Sequence, residues 1–97
     1  MLFAVRMDVA LPPGMDAEER SEVLAREKAY AQELQHGGEW VSIWRCVGQY
    51  ANLSIFEVRD NERLHQILWG LPLFDHMKIE VTPLAAHPSA ISSGAST

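Results

Sequence analysis

The chain lacks most of the features that announce a function class. It has one cysteine, Cys46, which excludes an internal disulfide and any CxxC metal site. A solitary cysteine suits a reducing compartment, and a cytoplasmic protein is expected. Basic residues are few: eight Lys and Arg stand against thirteen Asp and Glu, a net charge of −5. A phosphate backbone calls for a basic patch, so no nucleic acid partner is expected. No apolar run approaches the roughly 18 residues of a membrane span, so no membrane partner is expected either. The apolar start MLFAVRMDVALPPG carries Arg6 and Asp8 within it and has no separate basic leader, unlike a secretory signal. His36, His65, His76 and His87 show no ligand spacing such as HExxH, and there is no glycine-rich phosphate loop. No metal and no cofactor are expected.

What remains is an apolar content of 47% in 97 residues, enough for one modest core. Residues 1–86 read as a single domain. Residues 87–97 (HPSAISSGAST) are small and polar, and are expected to be a mobile tail or one packed on a neighbouring subunit.

Periodicity gives the elements. Phe3, Val5, Met7, Val9 and Leu11 alternate with polar or small residues, a strand with one buried face stopped by Pro12-Pro13-Gly14. Asp16 caps a helix to His36, with Glu18 and Glu19 in its first turn and glycine supplying a left-handed stop. Trp40–Val47 and Tyr50–Val58 read as strands joined by Gly48-Gln49, a spacing that fits a type II′ hairpin. Asp60 caps a shorter helix with Leu64, Ile67, Leu68 and Leu71 on one side, ended by Gly70 and Pro72. Met77, Ile79 and Val81 form a last strand, stopped by Pro83. The order β-α-β-β-α-β predicts an α+β, ferredoxin-like fold, a four-stranded antiparallel sheet with both helices on one face. The other face is left bare and is expected to meet another subunit.

One carboxylate breaks the pattern. At about 100° per residue Val23, Leu24, Ala31 and Leu34 share a helix face, and Glu27 projects among them. An unpartnered charge is costly to desolvate. If that face closes a pocket, Glu27 is a candidate acid/base with a raised pKa; the plainer alternative is an edge ion pair with Arg20 or Lys28.

The second hairpin carries the other polar groups. Tyr50, Asn52 and Ser54 share a side by period two. Strict alternation puts Trp40, Ser42, Trp44 and Cys46 on one side of the preceding strand, and Val41, Ile43, Arg45 and Val47 on the other. An arginine among β-branched residues needs a carboxylate, from the protein or from a ligand. His65 stands at the edge of the second helix's apolar stripe, where a structural role is the commoner one. Together these groups suit proton transfer on a small anionic carbonyl compound. No Ser-His-acid arrangement is legible, and an inert Cys46 is expected.

The segments MLFAVRM, LPPGMD, EKAYAQELQ, GEWVSIWRCVGQYANLSIFEV, LHQILWGLPLF and IEVTPLAAHPSAI resemble the muconolactone Δ-isomerase family over nearly the full length. Departures are Gln49, where a histidine is common, Asp75-His76 in place of Pro-Tyr, and Ser42 and Leu53 in place of larger polar or aromatic residues. The resemblance implies a cofactor-free isomerase of the β-ketoadipate pathway, a homodecamer with active sites at subunit contacts. Related 5-chloromuconolactone dehalogenases share these motifs and the same proton abstraction; a non-catalytic binding or assembly protein is the alternative from another class.

On this resemblance the substrate is a small anionic lactone. Its ring double bond moves when the C4 proton is taken and one is returned at C2. Glu27 is expected to be the base, with Tyr50, Asn52 and Ser54 as donors to the oxyanion. Lys28, Arg45, His65 and Trp40 are the expected substrate-binding residues.

Overall fold

The alternation at the start of the chain becomes β1 (Leu2–Val9) in a computed structural model that describes residues 1–91. It is followed by α1 (Ala17–His36), the hairpin strands β2 (Trp40–Arg45) and β3 (Ala51–Glu57), and α2 (Asn61–Trp69). A 3₁₀ turn at Phe74–His76 then leads into β4 (Met77–Leu84). The strands form one sheet in the order β2-β3-β1-β4, with every neighbouring pair antiparallel. Phe3, Val5 and Met7 pack in one core with Ala31 of α1 and Leu64, Ile67 and Leu68 of α2, so both helices cover the same face. Full burial of such side chains contributes about 1.5–3 kcal/mol each.

The helix ends follow their caps. The Asp16 carboxylate accepts from the Glu18 and Glu19 backbone N–H groups at 3.1 and 3.2 Å, and Asp60 accepts from Arg63 N at 2.8 Å. The left-handed stop after α1 is Gly38, at φ +88°, one residue beyond the cap Gly37. Two expectations need correction. β4 runs through Pro83, which pairs with Phe3, because an edge strand can spare one N–H. The hairpin is not a two-residue type II′ loop: the connection runs from Cys46 to Tyr50, and Gln49 N donates to Cys46 O. Gly48, at φ +74°, takes the third position of that turn, where a type II turn requires a positive φ.

A further correction matters more for the site. β2 carries a bulge at Val41: Trp40 pairs with Phe56, and the next paired residue, Ser42, pairs with Ile55. One extra residue shifts the pleat by one phase. Trp40, Ile43 and Arg45 therefore all face the helices, whereas strict alternation separates Trp40 from the other two. Ser42 and Trp44 turn to the opposite face. That face is uncovered by any helix, and Trp44 and Leu53 on it are 68% and 44% exposed. The expected tail begins with an exposed turn in which Ala90 N donates to His87 O; its remainder, residues 92–97, lies outside the described residues.

Candidate active site

α1 buries Val23 and Ala31, and the side it turns inward also closes a cavity rather than a dry core. Leu24, Glu27, Lys28, Ala31 and Gln35 recur at helical spacing along that wall. Arg45, Tyr50 and Asn52 come from the hairpin opposite, and Leu73 and Met77 from the segment before and at the start of β4. The cavity, open on one side, has a volume of about 430 Å³.

Glu27 is half-buried, and its Oε1 accepts from the Leu73 backbone N–H at 3.0 Å. Among the described residues it has no ion pair, neither the expected alternative with Arg20 nor that with Lys28. Burial pushes its carboxyl above the ordinary range, and the Leu73 N–H, which favours the anion, offsets only part of that push. A half-buried carboxylate with a raised pKa, oriented by one backbone N–H, has the chemistry that a general base calls for.

The hairpin supplies the complementary groups. Arg45 is exposed, with its guanidinium carbon 5.4 Å from the Tyr50 ring centroid, so the arginine lies over the phenol at the rim of the cavity. Lys28 is exposed on the helix side of the same cavity. Asn52 lines it as well; its Oδ1 accepts from Ser54 Oγ at 2.7 Å and its Nδ2 approaches Met7 Sδ at 3.6 Å. Two cations, a phenol and an amide thus share one concavity with a carboxylate.

Three expected site residues are elsewhere. Ser54 is fully buried behind Asn52 and does not line the cavity, so its hydroxyl is spent on the amide and not on a ligand. Trp40 is 1% exposed, packed at a tilt against Phe56 with centroids 4.7 Å apart, because the bulge turns it into the core. His65 is exposed on α2, 5.0 Å between centroids from Trp69, away from the cavity. Gln49, the departure nearest the hairpin turn, bonds Arg6 rather than lining the cavity. The contact that residue-by-residue reading missed is the Leu73 N–H: a backbone donor leaves no chemical signature in the side-chain sequence. The only hint is LPLF, one of the segments that carry the resemblance.

Comparison with known proteins points the same way. The profile of the muconolactone delta-isomerase family matches residues 1–90. The chain is 63% identical over 91 residues to muconolactone Delta-isomerase 1 of Acinetobacter lwoffii, covering 94% of this chain and 95% of that protein. It is 57% identical over 90 residues to the muconolactone Delta-isomerase of Rhodococcus opacus, with 93% and 97% covered. The crystal structure of a muconolactone isomerase superposes with a TM-score of 0.92 at 49% identity, over 96% of this chain and 97% of that one. With nearly the whole length matched in both sequence and backbone, the chain belongs to the muconolactone delta-isomerase family.

Proposed function

We propose that this cavity isomerises muconolactone to 3-oxoadipate enol-lactone, a proton-transfer step in aromatic catabolism. The observation that carries the reading is Glu27, a carboxylate raised in pKa by burial, aimed into a cavity by one backbone N–H. Muconolactone is an unsaturated five-membered lactone with a carboxymethyl arm. Glu27 takes the ring proton at C4, leaving a dienolate whose charge spreads onto the lactone carbonyl oxygen. As its conjugate acid it returns the proton at C2, which completes the shift of the double bond. Tyr50 and Asn52 line the same cavity and supply O–H and N–H donors to the oxyanion. Arg45 and Lys28 at the rim hold the side-arm carboxylate. The reaction moves one proton and one double bond within a molecule, so its chemistry calls for no redox cofactor.

The test is direct assay of purified protein with muconolactone and with its 5-chloro analogue. Isomerisation of muconolactone is expected. Chloride release from the analogue with no turnover of muconolactone would overturn the proposal in favour of a dehalogenase, and inertness toward both would favour a binding protein.

The reading extends to assembly in the cytoplasm as a closed homo-oligomer, by resemblance a decamer. Its support is the sheet face without a helix, where Leu2, Trp44, Leu53 and Leu84 are each at least 40% exposed. Light scattering at micromolar concentration is expected to give a multiple of the 10.9 kDa chain mass, and a monodisperse monomer would refute it.

A further inference from the structure

We infer that Ser54 is a positioning residue, which sets the Asn52 side chain so that an amide N–H, and not the amide carbonyl, faces the bound lactone. The inference deepens the isomerase reading and rests on it. Two neighbours impose the same orientation independently. Ser54 is 0% exposed, and among the described residues its hydroxyl finds one acceptor, Asn52 Oδ1 at 2.7 Å. β3 lies between β2 and β1, so the strand's own carbonyls are engaged by ladders on both sides. Rotating the amide by half a turn would leave a buried O–H against N–H donors, which is costly.

The second neighbour is Met7, 0% exposed, whose sulfur lies 3.6 Å from Asn52 Nδ2. A thioether accepts and never donates. It therefore matches an amide nitrogen and leaves a flipped carbonyl without a partner. One N–H of Asn52 goes toward this weak acceptor, and the second remains for the cavity that Asn52 lines. A donor held in place before the reaction is what a developing enolate oxygen needs, since no reorganisation is then required as charge appears. Ser54 touches no substrate; it acts through Asn52.

The experiment is a double-mutant cycle on kcat and KM with muconolactone, accompanied by thermal melts of each variant. Removing one oxyanion donor typically costs about 10²–10³ in kcat, and freeing it to flip should cost part of that. Ser54→Ala is expected to lower kcat by about tenfold with KM changed less than about twofold. In an Asn52→Ala background the same substitution is expected to change kcat by less than about twofold, because nothing is left to position. Asn52→Asp keeps the acceptor for Ser54 but turns an oxygen toward the lactone, and is expected to be no faster than Asn52→Ala.

An equal factor for Ser54→Ala in both backgrounds would overturn the inference, whatever the melts show, because a merely structural loss does not depend on Asn52. An Asn52→Asp enzyme faster than Asn52→Ala would overturn it too. Wild-type protein inactive on muconolactone is a different failure, that of the isomerase reading, and is seen before any variant is compared.

Discussion

Replacing Glu27 by glutamine should cost activity without costing stability. The amide is nearly isosteric, and its oxygen can still accept from Leu73 N, so the link between α1 and the segment before β4 survives. Deleting a positioned general base costs about 10²–10⁴ in turnover, or about 2.7–5.5 kcal/mol in barrier height at ~1.36 kcal/mol per decade. Stability follows the raised carboxyl pKa. Between the unfolded pKa and the higher folded one, the native protein binds more protons than the unfolded chain. Stability is therefore lost as pH rises through the folded pKa, and ionised Glu27 is a liability at neutral pH. Glutamine removes that charge, so Glu27→Gln should melt no lower than wild type at pH 7. Its melting temperature should also lose the part of the wild-type pH dependence that Glu27 causes. In the active enzyme the acid limb of kcat/KM should lie above the ordinary carboxylate range, since the base works only when ionised. Turnover followed by NMR in deuterated water, with melts across pH, measures both. A glutamine variant keeping more than a tenth of wild-type turnover, or melting well below wild type at pH 7, would refute the reasoning.

Arg45→Ala should raise KM by about tenfold or more while kcat changes little, if the side-arm contact is equal in ground and transition states. Arg45 is exposed and, among the described residues, stacks on Tyr50, an interaction of about 0.5–1 kcal/mol, so the melting temperature should fall little; a large drop would assign it a structural role instead. Gly70→Ala should destabilise by about 1–3 kcal/mol, because the new Cβ would lie 2.6 Å from the Tyr30 hydroxyl, which donates to Ile67 O and ties α1 to α2. Denaturant unfolding reads this, and an unchanged midpoint would show that Tyr30 moves aside freely.

How legible was the site? Glu27 was visible because a charge interrupts an apolar stripe whose spacing any helix must obey. Arg45 stands out as a cation among β-branched residues, although alternation sets it opposite Trp40 and the bulge sets both on one side. Ser54 was grouped with Asn52 correctly by face, yet depth separates them: one lines the cavity and the other lies beneath it. His65 lies off the cavity because period tells direction but not what stands in that direction, and Trp40 because the bulge reverses the side that alternation predicts.

The sequence by itself determined the element order, both helix caps, the net negative charge and the anomaly at Glu27. These follow from backbone repeats of 3.6 and 2 residues and from summed charge, all of which are local or additive. Only the tertiary structure decided what Glu27 meets. Its partner, the Leu73 N–H, is 46 residues away in the chain and carries no side-chain signal. Only the structure, too, put Trp40 and Arg45 on one face, through a bulge that pairing with β3 reveals and alternation cannot. A strand's phase depends on its register with a neighbour, and a carboxylate's pKa on the burial around it. Both are properties of the assembled chain.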